Sequence, residues 1–237
     1  QIKGTYQYSL WIHDNTFSLP AESASNNDGV ILEFGSDSVM VENNTFDKMS
    51  NCFLFTPRDG DTIKNVTFRK NLCTHVVKSG QNGSNADFVS MGPGSANYKV
   101  DGLYIYNNTF IADPTNRPWW GIELGGITTG SMKNISIKKN ILMNTWTGAI
   151  VHGGSIAIDN LDISNNNIYG NLSTNDPVFS GPAPTHYTYS NNIHADPGFV
   201  SSTSYHLTSG SSCVNKGQNI GLPFTGSAPD IGYYEDY

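Results

Sequence analysis

Three of the four tryptophans sit at related places in the chain. Asn116-Arg117-Pro118-Trp119-Trp120 runs directly into Gly121–Leu124, and Asn144-Thr145-Trp146-Thr147-Gly148 runs into Ala149–His152. Aligned on Gly125 and Gly153, the two segments set Trp146 level with Pro118, beside Trp119. An indole offers a flat apolar body and one polar N–H, which suits it to stack on the C–H face of a sugar ring. In the same alignment Phe88 is outward and level with Gly121, and Asp87 and Glu123 stand near enough to hydrogen-bond sugar hydroxyls. The plainer alternative is a hydrophobic plug beneath the loop 111–120. An exposed aromatic patch on a soluble protein marks a binding surface more often than not.

A second constellation needs different chemistry. His13, Glu42, Arg69, Tyr106, Lys138 and Ser164 occupy one outward position in successive repeats. A base, an acid and a charge neutraliser can be drawn from Arg69, Tyr106 and Lys138 with Glu42 beside them. The competing reading is a solvated ladder in which Glu42 pairs with Arg69. Trp11, Tyr104 and Tyr106 form a more scattered outward aromatic set on the same strands. Paired carboxylates for glycoside hydrolysis must lie within roughly 5–10 Å. Glu33 and Glu123 share a column but are three repeats apart, about 14 Å, and the sequence has no Asp-Asp pair. Asp59-Gly60-Asp61 reads as a turn, and no Asp/Glu run has the density of a dedicated calcium site. No Cys/His cluster suggests zinc. No cofactor is expected, with calcium the one ion left open. His75, His186, His194 and His206 show no partner pattern and read as structural or surface residues.

Both constellations require residues far apart in sequence to be neighbours, and a repeat supplies that. The template apolar-x-x-Asn-x-apolar recurs with its Asn at 15, 44, 71, 108, 140, 166 and 191. Steps near 25 residues match one coil of a β-helix, and longer steps carry loops. Asn tolerates the left-handed backbone that a sharp bend needs. Stacked about 4.8 Å apart, the Asn amides would also bond to one another as a ladder. The preceding strand alternates, with Leu10, Val39, Val66, Leu103, Ile135 and Leu161, and then Ile12, Val41, Phe68, Ile105, Ile137 and Ile163, pointing inward. A second column ends near Gly, as in Leu32-Glu33-Phe34-Gly35, Val89-Ser90-Met91-Gly92, Ile122-Glu123-Leu124-Gly125 and Ile150-Val151-His152-Gly153. The expected fold is all-β, a right-handed parallel β-helix (solenoid) of about seven to nine coils with an Asn ladder. It forms one domain over 1–237, with 190–237 as a closing segment. Loops are expected at roughly 18–29, 56–64, 78–86 with 92–99, 111–120 and 170–186. The N-x-S/T sequons at Asn43, Asn65, Asn107 and Asn134 read as by-products of the repeat.

Composition narrows the partners. Charged residues are only 14% of the chain and the formal net charge is −7. An acidic surface repels phosphate backbones, so nucleic acid is not an expected partner. A polyanionic glycan would need a local basic groove or a bridging cation, whereas a neutral one would not. No segment approaches a membrane span. The start at Gln1, without Met, suggests an excised module or a mature chain. Three cysteines, Cys52, Cys73 and Cys213, are too few for a disulfide scaffold and are expected as buried thiols.

The tail carries a resemblance. Asn192-Ile193-His194-Ala195-Asp196-Pro197-Gly198-Phe199-Val200, then Tyr205-His206-Leu207-Thr208-Ser209-Gly210-Ser211-Ser212 and Asp230-Ile231-Gly232-Tyr233-Tyr234-Glu235, resemble the closing segments of extracellular bacterial β-helix proteins of the pectate-lyase-like superfamily. That superfamily includes lyases, hydrolases, epimerases and non-catalytic carbohydrate-binding modules, and fold does not choose among them. The Asn-Thr-Asp, Gly-His-Gly and Arg-Ile-Lys motifs of its hydrolases are missing, with Val151-His152-Gly153-Gly154 only a partial echo. Its lyases typically use a Lys or Arg base, often with calcium. The chain resembles the β-helix-fold binding modules of bacterial xylanases. That likeness implies a monomeric, secreted or cell-surface module, attached covalently to a catalytic domain and binding xylan or a related plant β-glycan. Its site would be Trp119, Trp120, Trp146, Phe88, Glu123 and Asp87. The alternative is a polysaccharide lyase using Arg69, Tyr106 and Lys138 by β-elimination on an acidic glycan. A purely structural adhesin segment would leave the tryptophan loop unexplained.

Overall fold

The computed structural model describes residues 1–20, 27–76, 87–91, 97–125 and 130–236. Every repeat contributes up to three short strands, and each pairs in parallel with the equivalent strand of the next repeat. The first stack contains 2–5 of the strand Ile2–Tyr8, then 28–33 of the long strand Asp28–Glu42, Asn51–Thr56, Asp87–Ser90, Trp120–Leu124, Gly148–His152 and Val178–Phe179. The second contains 7–8 of Ile2–Tyr8 with Trp11–His13, then 36–42 of the long strand, Thr62–Arg69, Tyr98–Tyr106, Gly130–Lys138, Ala157–Ser164 and Thr185–Ser190. The third contains Thr16–Ser18, Thr45–Asp47, Leu72–Val76, Thr109–Ala112, Ile141–Met143 and Asn167–Tyr169. This is a parallel β-helix. Among the described residues it has six complete coils and a partial seventh, in which the third stack dwindles to one bridge, Asn167 to Ile193. The expected seven to nine coils are thus shortened, because the segment after Asn192 leaves the winding.

The interior is a column of apolar side chains stacked coil on coil. Phe17, Phe46, Phe68 and Phe110 form one file, with ring centroids 4.8, 6.0 and 6.0 Å apart. The expected inward residues of the second stack are buried, Leu10 alone being half-buried at the first coil. Cys52, Cys73 and Cys213 are buried free thiols.

The bend between the second and third stacks carries the ladder. Asn44, Asn71, Asn108, Asn140 and Asn166 are fully buried. Each rung's side-chain oxygen accepts from the backbone N–H and side-chain amide of the rung before it. Asn108, for example, accepts from Asn71 at 2.9 and 3.1 Å. Its own amide donates to Phe68 O at 2.9 Å and Asn140 Oδ1 at 2.9 Å. Two expectations are corrected here. The last rung is Asn192, not Asn191: Asn166 pairs with it at 2.9 Å because Ser164 is in register with Ser190. Nor do the rungs themselves adopt the left-handed backbone. The residue before each one does: Asp14, Asn43, Lys70, Asn107, Lys139, Asn165 and Asn191, with φ from 47 to 57°. The rung closes the bend with its side chain, so the strained position accepts even Lys70 and Lys139.

The segment after Asn192 folds back over the third stack. Cys213 and Ile231 pack on Ile141, Gly232 N–H donates to Lys139 O at 2.9 Å, and Tyr233 reaches Asn43 at 3.1 Å. At Gly232 the left-handed backbone (φ 114°) disfavours any side chain, and a Cβ would also crowd Ile141 Cδ1 at 2.8 Å and Thr109 Oγ1 at 2.9 Å. Expected turns are also present. Gly60 has φ 85°, and Asp61 Oδ2 accepts from Arg58 N–H at 2.7 Å. The expected loops at 78–86 and 92–96, like 21–26, lie outside the described residues.

Asn108→Ala removes acceptors for two buried donors and leaves Phe68 O without its donor. Each buried polar group left unsatisfied costs about 1–3 kcal/mol. The urea midpoint should fall by an amount equivalent to about 3 kcal/mol or more, and Asn108→Asp should be no better, since it sets a carboxylate against Phe68 O and Asn140 Oδ1.

Candidate functional site

The indole pair forms where one coil's third stack leads into the next coil's first stack. Trp146 N–H donates to Pro118 O at 2.8 Å, and Thr147 N–H to Trp119 O at 2.9 Å. These bonds clip the two loops in register. The rings of Trp119 and Trp146 stand 6.0 Å apart at 53° and are 37% and 48% exposed. Arg117 braces the loop, its guanidinium donating to Pro114 O and Gly170 O. On the following coil Ser173 N–H donates to Trp146 O at 3.1 Å and Leu172 is exposed, so the surface continues as a ridge. Trp119 and Trp146 are neighbours as the alignment anticipates. Trp120 is half-buried at the start of its strand.

Phe88 is not part of this surface. It is fully buried and stacks on Phe110 at 5.0 Å. Its level in the coil also holds Gly29, Cys52, Gly121 and Ala149, all buried. The chain turns a corner there, so two consecutive residues face inward and simple alternation misassigns the first. A Cβ on Gly121 would stand 2.3 Å from Ala149 O, which shows how tight the corner is.

Asp87 and Glu123 are also withdrawn from the surface. Asp87 is fully buried, Glu123 is 7% exposed, and Ser90 Oγ donates to Glu123 Oε2 at 2.9 Å. Burial, then the charge of Glu123, hold the Asp87 carboxyl well above its usual range, and burial raises Glu123 as well. They form a buried acid pair across the neighbouring strands Asp87–Ser90 and Trp120–Leu124, not hydroxyl partners beside the indoles. Sequence reading missed the pair because Asp87 and Ser90 become neighbours of Glu123 only through strand register. His152 is buried too, bonded through Nδ1 to Leu124 O at 2.8 Å, so the imidazole of the partial motif faces inward.

Arg69, Tyr106 and Lys138 do align on consecutive coils. Each cation faces a carboxylate: Arg69 Nε lies 2.6 Å from Glu42, and Lys138 Nζ lies 2.6 Å from Asp162. Burial raises the Tyr106 phenol above its usual range, so it releases its proton less readily than free tyrosine. The set has the form of the expected Glu42–Arg69 ladder. Several histidines are not alone, contrary to expectation. His75, His186 and His206 each lie 2.6 Å from an aspartate, Asp47, Asp159 and Asp236, which adjacent coils or the folded-back tail bring to them. Among the described residues no group of three or more His, Cys, Asp and Glu could hold a metal ion.

No family model matches the chain, and no curated protein does. Among solved structures, pectate lyase Pel9A is similar at 13% identity, over 97% of this chain and 73% of its own, with a TM-score of 0.39.

The buried acid pair makes a pH prediction. A carboxyl raised by folding binds its proton more tightly in the native state. Its burden on stability is therefore absent below the ordinary carboxylate range and grows as pH rises through it. Relative to wild type, Asp87→Asn should gain melting temperature steadily from about pH 4 toward neutrality. A difference that stays flat with pH contradicts the raised carboxyl.

Proposed function

We propose that the chain is a non-catalytic carbohydrate-binding unit that recognises an uncharged plant cell-wall polysaccharide, xylan or a related β-glycan. The observation that carries this reading is the pair of exposed indoles, Trp119 and Trp146, held in fixed relation by backbone hydrogen bonds between adjacent coils. Planes inclined at 53° do not lie flat on a crystalline surface. They suit a single twisted chain whose successive sugar faces turn relative to one another. Fixing the rings before contact lowers the ordering cost of binding. The net charge of −7 and the carboxylate partners of Arg69 and Lys138 favour a neutral chain over a polyuronate. In this reading the chain is the binding part of a larger secreted glycan-degrading enzyme, acts as a monomer and uses no metal.

In affinity gels containing soluble xylan or mixed-linkage β-glucan, migration should be retarded. Trp119→Ala or Trp146→Ala should weaken binding roughly tenfold or more, with no change on adding a chelator. Unchanged retardation in both variants removes the indole pair from the site. Accumulation of unsaturated product from pectate or alginate, abolished by Lys138→Ala, replaces the binding unit with a lyase.

A further inference from the structure

The outer face of the second stack carries a groove that the tryptophan ridge does not explain. Two depressions, of about 430 and 260 Å³, adjoin through Arg69. The first is bounded by Trp11 and Glu42. The second has Tyr104 and Tyr106 on its floor, with Ile220 and Leu222 of the folded-back tail as a wall. Strand register explains the arrangement. Trp11, Met40, Thr67 and Tyr104 occupy one level on four successive coils, and His13, Glu42, Arg69 and Tyr106 occupy the next outward level. Trp11 and Tyr104 are thus three coils apart, about 14 Å along the stack, enough for several linked sugar rings.

Trp11 is 59% exposed yet fixed in place. One face stacks on His13 at 3.9 Å, and its Nε1–H donates to Glu42 Oε1 at 2.9 Å. The other carboxylate oxygen of Glu42 holds Arg69 Nε at 2.6 Å. Tyr104 and Tyr106 stand 5.9 Å apart, tilted by 38°. We propose that this groove is a second glycan-binding site, which takes an uncharged oligosaccharide lying across the coils, stacked on Trp11 and Tyr104 and hydrogen-bonded through the Glu42–Arg69 pair.

The charge pattern selects the ligand. The outward positions of this face hold five cations, Lys64, Arg69, Lys99, Lys133 and Lys138, balanced by five carboxylates, Asp37, Glu42, Asp101, Asp159 and Asp162. Three of the cations are already within 3.0 Å of one of those carboxylates. A polyanion gains little there. Nor does the groove offer a strand edge to an extended peptide, because Thr62–Arg69 and Tyr98–Tyr106 are paired on both sides.

Titration calorimetry of the full chain with xylohexaose, cellohexaose and an oligogalacturonate of equal length separates the two sites. Two sites should appear for a neutral oligosaccharide, one lost in the Trp119→Ala/Trp146→Ala double variant and the other in Trp11→Ala. At the groove site, Tyr104→Ala and Arg69→Gln should each weaken binding roughly tenfold, with unchanged circular dichroism. If the double variant binds no neutral oligosaccharide, or if Trp11→Ala and Tyr104→Ala leave its binding untouched, the groove is not a site. If it takes only oligogalacturonate, the charge argument fails and the proposal with it. Binding that survives the double variant in full and vanishes with Trp11→Ala upholds the groove and overturns the tryptophan ridge.

Discussion

A parallel coil can stack only if the backbone at its bends finds hydrogen-bond partners away from water, and the buried asparagine relay meets that demand. Each amide serves three coils. Asn108 takes two bonds from Asn71, gives one to Asn140 and reaches back to the Phe68 carbonyl. An amide is the one short side chain that is both double acceptor and double donor at that reach. The relay fixes the register of the second and third stacks together. Register in turn decides which residues, distant in sequence, become neighbours on the surface. Every surface feature of this molecule inherits its geometry from that constraint.

The first and second stacks use the shared register differently. At the entrance to the first, loop backbones are drawn into the ladder and leave two indoles outside, while Glu123 and Ser90 on its outward level are buried. On the second, outward side chains remain half-exposed and neutralise one another coil by coil, as in Lys133–Asp101 and Lys138–Asp162. Arranged so, the ions keep the face soluble without making it attractive to a polyanion. The same arrangement leaves aromatic rings as the groups with unused contact area. Both surfaces therefore point to ligands recognised by stacking and hydroxyl bonding.

The repeat was legible because its constraints are local: an inward apolar residue, two outward ones, an Asn at the bend. Trp119 beside Trp146 followed from the same alignment. What was not legible depended on corners. Phe88 lies where two successive residues face inward, so period-two reasoning turned it the wrong way. Asp87 and Glu123 looked like surface hydroxyl partners, yet they are buried, and the acid pair exists only through the register of neighbouring coils. Asn192 was displaced by one because two asparagines stand side by side and only pairing distinguishes them. The left-handed residues escaped notice for a related reason, since Lys70 and Lys139 carry no sequence signal for that backbone.

The central claim is that fixed, exposed aromatic rings recognise an uncharged glycan. The four indoles, Trp11, Trp119, Trp120 and Trp146, each contribute one N–H resonance. Following them by nuclear magnetic resonance during titration with xylohexaose and cellohexaose reads the claim residue by residue. The account predicts saturable shifts at Trp119, Trp146 and Trp11, with the half-buried Trp120 moving least. Four resonances that stay in place at saturating neutral oligosaccharide, while an acidic glycan is consumed, would contradict it.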